Sequence, residues 1–256
     1  MATRRSVLSS GAASIATAIL PSRSTFAQSF PSKPIRIIVP FPPGGPADTA
    51  VRIVQGGMEK TLGQSIVVEN VAGAVGAIGA QRVKQAEPDG YTLLQAASPH
   101  STNAAVKPAA NVDLRRDFEP IGIAGASVFT LCASKESGIT SLADLIAKAK
   151  ARPDELKIGS VGHRLGSPSG RRDAEIRGRH RAQSRGLVAP KGTPAAVLER
   201  LGAALASALN TDAATRAFNA MGFKPGEGGS DGLRQRIAED MRLFTAVIGE
   251  RNLKFD

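Results

Sequence analysis

Ile35-Arg36-Ile37-Ile38-Val39-Pro40-Phe41-Pro42-Pro43-Gly44-Gly45-Pro46-Ala47-Asp48-Thr49 joins a short β-branched run to an amphipathic pattern. Residues 35–39 are apolar and branched, and short enough for one strand. Beyond the prolines, Val51, Val54, Met58 and Leu62 recur at helical spacing, and Pro46 suits a first helical turn, so a helix is predicted to start there. A strand, a glycine turn and a helix N-terminus in this order aim unpaired backbone N–H groups at one point. A carboxylate can bind there with no side-chain partner.

The same alternation continues outward. Residues 65–69 read as a second strand, 76–86 as a small-residue helix, and 91–97 as a third strand that leads into a polar loop, Ser98-Pro99-His100-Ser101-Thr102-Asn103. A βαβαβ order predicts an α/β fold with a mostly parallel sheet and ligands at the C-terminal ends of its strands. Both candidate loops, 41–48 and 98–103, follow strands. Residues 119–133 read as one or two apolar strands, and Ser141 as the cap of a helix running to Lys150. Residues 156–160 read as a further strand. Thr193-Pro194 is a cap and first-turn proline for a helix to about Asn210, a short helix follows Thr211, and Leu233, Ile237, Met241, Phe244 and Ile248 make a core-facing stripe on a last helix.

Composition narrows the function classes. Of the net charge of +11, Arg4, Arg5 and Arg23 contribute +3 and the segment 163–186 contributes +5, with seven arginines against two acids, leaving an ordinary +3. Trp is absent, Tyr91 is the only tyrosine, and no zinc-finger spacing or interleaved aromatic pattern supports a nucleic-acid partner. Cys132, the only cysteine, cannot form an intramolecular disulfide and reads as a packed thiol in a buried strand. The first 27 residues carry Arg4-Arg5, an apolar stretch from Gly11 to Leu20 and small residues around Thr25-Phe26-Ala27, the plan of a cleaved export signal of the twin-arginine or general secretory type. The mature product is expected in the periplasm.

Enzyme signatures are not met. Gly166-Ser167-Pro168-Ser169-Gly170 puts proline where a hydrolase elbow needs its nucleophile, Lys191 precedes Gly192 in the wrong order for a phosphate-binding loop, and Gly73, Gly76 and Gly79 lack the dinucleotide spacing. His100 has no second His, Cys or carboxylate at metal-ligand spacing. No catalytic residue, metal or cofactor is expected.

Four motifs in register carry a family resemblance: Phe30 to Gly45 continuing to Asp48 and Arg52, then Val67-Val68-Glu69-Asn70, then Gly73-Ala74-Val75-Gly76-Ala77-Ile78-Gly79-Ala80, then Pro88-Asp89-Gly90-Tyr91-Thr92-Leu93-Leu94. The chain resembles the Bug-type substrate-binding proteins of tripartite tricarboxylate transporters from about Phe30 to Gly162 and again from Gly186 onward. The resemblance implies a periplasmic-binding-protein-like (type II) fold of two α/β lobes closing on a small carboxylate, and a monomer that delivers its solute to integral-membrane transporter subunits. It places ligand contacts on the first loop (Phe41, Gly44, Gly45, Asp48), on the second (Ser98, His100, Ser101, Asn103) and at Ser160. Asp48 is expected to hold the loop or helix start more than to meet an anion.

The resemblance breaks off between His163 and Gly186. This arginine-rich stretch has too few apolar residues to offset the cost of ordering the chain, so disorder is expected, with a second lobe truncated around it. We read it as a reading-frame lesion followed by a deletion that restores the frame. The predicted organisation is a signal over 1–27, a first α/β lobe over 28–122, a remnant of the second lobe over 123–186, and a C-terminal helical segment over 187–256. The functional alternatives are a carboxylate receptor, a degraded relative that no longer binds, and a basic interaction protein that uses 163–186.

Overall fold

A computed structural model describes residues 30–106, 112–127, 132–152, 155–156 and 183–250. Strand β1 (Ile35–Val39) pairs in parallel with β2 (Ile66–Asn70) on one side and with β3 (Thr92–Ala97) on the other. Helix α1 (Pro46–Leu62) and helix α2 (Ala77–Lys84) are the two crossovers, so the βαβαβ reading holds. The predicted export signal, all but the first residue of the strand predicted over 156–160, and Ser160 lie outside the described residues.

Residues 98–103 are helical, where a loop is predicted. Helix α3 (Ser98–Val106) starts directly at the end of β3, and the His100 ring accepts the Ala97 N–H at 3.1 Å through Nδ1. A side chain at the third helical position that satisfies the residue before the helix closes half of a capping box. The polar residues that suggest a turn are therefore a helix start.

A short helix α4 (Leu114–Asp117) runs into β4 (Phe118–Ser127), and β5 (Gln183–Pro190) comes much later in sequence. β5 inserts between β3 and β4, antiparallel to both, and β6 (Phe223–Pro225) pairs antiparallel with the far edge of β4. The strand order is β2-β1-β3-β5-β4-β6. The sheet is mixed, which corrects the expectation of a mostly parallel one: the parallel half is the part with helical crossovers, and the antiparallel half is completed by a returning chain. Residues 183–186, predicted to belong to a disordered segment, form the first half of β5, with Arg185 buried.

Helices cover both faces. On one face Ile38, Leu94, Val188 and Phe118 pack with Ala80 and Val83 of α2 and with Leu233 and Ile237 of α8 (Gly229–Glu250). The alternate strand positions Ile37, Leu93 and Leu187 are equally buried on the other face, which α1 and α6 (Ala195–Leu209) cover. A Cβ at Gly57 of α1 would lie 2.7 Å from the Ala208 Cβ, so glycine sets the α1–α6 approach. Helix α7 (Asp212–Ala220) is capped by Thr211, whose hydroxyl accepts the Ala214 N–H, as read from sequence. At α6 the cap is Pro194, because the Thr193 hydroxyl donates to the Pro190 carbonyl instead. Helix α5 (Leu142–Ala151) keeps its predicted Ser141 cap but buries no residue. Cys132 is exposed rather than packed in a strand.

Asp117 locks α4 to α2. Its carboxylate meets Lys84 at 3.1 Å and Arg116 at 2.8 Å and accepts the Asp113 N–H. Burial pushes this carboxyl up, but Arg116, the Asp113 N–H and Lys84 outweigh burial and hold it down to about 2 from the usual 3.8. A carboxyl whose folded pKa is depressed stabilises the fold fully above its unfolded value and loses that contribution as pH falls toward the folded value. Stability is therefore expected to fall by about 1–2 kcal/mol between pH 4 and pH 2 through this group, discounted because Arg116 is exposed to solvent. Urea titrations over that range check this: Asp117→Asn should flatten the acid slope, and an unchanged slope would remove Asp117 from the account.

Candidate functional site

The C-terminal ends of β1, β2 and β3 bring three segments together. The first is the loop between β1 and α1. Asp48 is 2% exposed, and its Oδ2 accepts the Gly44 N–H at 2.9 Å and Arg52 Nε at 2.9 Å, while Oδ1 accepts Asn70 Nδ2 at 3.0 Å. Asn70 also donates to the Phe41 carbonyl at 3.1 Å. Burial raises the Asp48 pKa, but hydrogen bonds from Arg52, Gly44 and Asn70 win and keep it below the ordinary carboxylate range. Asp48 is thus an ionised clamp on the loop. It engages the Gly44 N–H and fixes the loop ahead of α1.

The helical ladder opens with the Thr49 N–H to the Gly45 carbonyl at 2.9 Å, and Gly45 supplies no side-chain cap. The N–H groups of Ala47 and Asp48 lie upstream of that first bond, at the positive end of a 17-residue helix.

The second segment is the turn Gly73-Ala74-Val75-Gly76, in which all four residues have positive φ. A β-branched residue at φ 55° is a strained conformation, of the kind that persists where surrounding structure holds it. Here α3 holds it: Asn103 Nδ2 donates to the Val75 carbonyl at 3.3 Å, and His100 packs against Gly76.

His100, in the third segment, is 4% exposed and meets the Phe41 ring edge-on, with centroids 5.8 Å apart. Burial pushes its pKa down, which keeps the imidazole neutral at pH 7. The Gly76 backbone lies close to Nε2 but without hydrogen-bond geometry, so Nε2 is buried and unpartnered.

The structure therefore gathers Phe41, Gly44, Gly45, Asp48, His100 and Asn103 at one place. It turns Ser98 and Ser101 away. The Ser98 hydroxyl donates to Asp240 of α8 at 2.9 Å, and Ser101 lines a small crevice with Ser98, Leu233 and Asp240. A helix at 98–106 separates its residues by 100° per position, so four polar neighbours cannot all face one loop. Sequence reading gave no site role to Asn70, Arg52 or the 73–76 turn. Their signals were an asparagine at the end of a strand and a valine between close glycines. Beside the turn, residues of α2 and α3 line a cavity of about 520 Å³. Among the described residues, no group of three His, Cys, Asp or Glu side chains is placed to hold a metal ion.

Comparison with known proteins follows the same segments. The profile of the tripartite tricarboxylate transporter family receptor matches residues 50–169. Protein BugT of Bordetella pertussis is 32% identical over 188 residues, covering 71% of this chain and 55% of that protein. The chain spans about half the length of the curated relatives it matches. A solved periplasmic transporter superposes with a TM-score of 0.74 at 26% identity, over 89% of this chain and 100% of that one. MatC from Rhodopseudomonas palustris, solved with bound malate, superposes with a TM-score of 0.72 at 23% identity, over 86% of this chain and 100% of that one. The fold is periplasmic-binding-protein-like.

Proposed function

We propose that the chain is a member of the tripartite tricarboxylate transporter receptor family, an extracytoplasmic receptor that binds a small carboxylate and hands it to integral-membrane transporter subunits. One observation carries the reading: the uncapped start of α1, the strained 73–76 turn and the start of α3 converge at the ends of three parallel strands. Backbone N–H groups at a helix start favour an anion, and Asp48 holds the loop without presenting its own charge to the solute. The bound malate of MatC is a carboxylate of the expected class. Binding, not catalysis, is the proposed activity, and residues 1–27 direct the chain to the periplasm. The arginine-rich segment between His163 and Gly186, where the family resemblance breaks off, favours one alternative, a relative that no longer binds.

Thermal unfolding of the full chain with and without malate, succinate, glutamate and aromatic acids separates the two. A ligand at a hundred times its dissociation constant should stabilise the protein by about 2.7 kcal/mol and move a cooperative transition upward. A transition that no carboxylate moves would favour the binding-incompetent alternative.

A further inference from the structure

The cavity between α2 and α3 is lined by Ala77, Ile78, Gln81, Arg82, His100 and Asn103. Ile78 is 53% exposed, and Val75 is exposed beside it, so the rim is apolar. Two polar atoms in the wall, His100 Nε2 and Gln81 Oε1, are buried with no hydrogen-bond partner. Buried polar groups are ordinarily satisfied, and the exceptions need an explanation. His100 Nδ1 lies 3.1 Å from the Ala97 nitrogen and 3.0 Å from the Ala97 oxygen, so the tautomer sets whether Nε2 donates or accepts, and a hydroxyl or an amide can serve either role. Gln81 Oε1 is an acceptor awaiting a donor. Arg82 is already paired with Glu69, so among the described residues the wall offers no free cation for a second carboxylate.

His100 is shared between the two places: its ring meets Phe41 of the loop and also lines the cavity. A volume of about 520 Å³ is that of a pocket for a drug-sized molecule, far more than a four-carbon diacid fills. We propose that this cavity takes the body of the solute and selects a bulky, typically aromatic, carboxylate carrying a hydroxyl or amide group over a small dicarboxylate. The inference rests on the solute-binding reading above. The carboxylate stays at the α1 start, the body passes His100, and its hydroxyl or amide satisfies His100 and Gln81.

Calorimetric titration of the full chain with 4-hydroxyphenylacetate, phenylacetate and malate tests it. The wild type should bind 4-hydroxyphenylacetate at least tenfold more tightly than malate. Gln81→Leu should erase the advantage of 4-hydroxyphenylacetate over phenylacetate, and Ile78→Trp, at a half-exposed position lining the cavity, should weaken both aromatic acids at least tenfold. Melting curves of the unliganded variants confirm that each is folded. Preference for malate, or aromatic affinities that neither substitution changes, overturns this inference and leaves the receptor reading standing. Failure of every carboxylate to bind the wild type overturns both.

Discussion

Replacing Gly76 with alanine is expected to destabilise the protein by about 2–4 kcal/mol and to weaken carboxylate binding at least tenfold. Gly76 has φ +90°, a conformation that costs an L-residue about 1–2 kcal/mol. An added Cβ would also stand 2.9 Å from His100 Nε2 and 3.4 Å from the Phe41 ring. His100 cannot yield, because it is buried and its Nδ1 is tied to Ala97. The crowding therefore passes to Phe41 and to the loop that carries the candidate anion site. Gly44 supplies the control. It too has positive φ, yet a Cβ there meets nothing within 4 Å, so Gly44→Ala should cost only the conformational term, about 1–2 kcal/mol. Urea denaturation of both variants separates strain from crowding. Adding His100→Ala to Gly76→Ala should recover part of the loss, since coupled neighbours are not additive. Equal costs at Gly44 and Gly76 would show that the His100 contact contributes nothing.

What the sequence makes legible, and what it hides, follows from the range of the forces involved. β1 and the start of α1 fall where the β-branched run and Pro46 place them, because strand and helix periods and a first-turn proline are local signals. The loop-holding role of Asp48 is equally local, four residues from both Gly44 and Arg52. The start of α3 was hidden because its cap is a histidine ring instead of the usual hydroxyl or carboxylate. The split of 98–103 into residues facing the turn and residues facing α8 depends on Asp240, 142 residues away from Ser98, and no local pattern carries that information. The place of β5 is hidden for the same reason: its neighbours are chosen by a sheet assembled from distant segments.

That placement of β5 leads to the second large effect: Leu187→Ala is expected to cost about 3–5 kcal/mol and to lower the stability of the whole described fold, not of its C-terminal part alone. Leu187 is fully buried, at the middle of a strand whose neighbours are Gln95 of β3 and Gly122 of β4. Without β5, β3 and β4 have no ladder joining them, and the core on both faces loses its middle. The lobe boundaries read from sequence, after 122 and after 186, fall inside β4 and β5, so two separately folding lobes would have to cut hydrogen-bonded strands. Tyr91 makes the test simple. It is the only tyrosine, in a chain without tryptophan, and its hydroxyl accepts the Ser32 N–H at 2.8 Å beside β1. Its fluorescence therefore reports the first lobe alone, while circular dichroism reports every helix. In one cooperative unit the two transitions coincide and shift together in Leu187→Ala. A Tyr91 transition that stays in place while the dichroism transition moves would mean that the first lobe folds without β5, and that the boundaries read from sequence describe independent units after all.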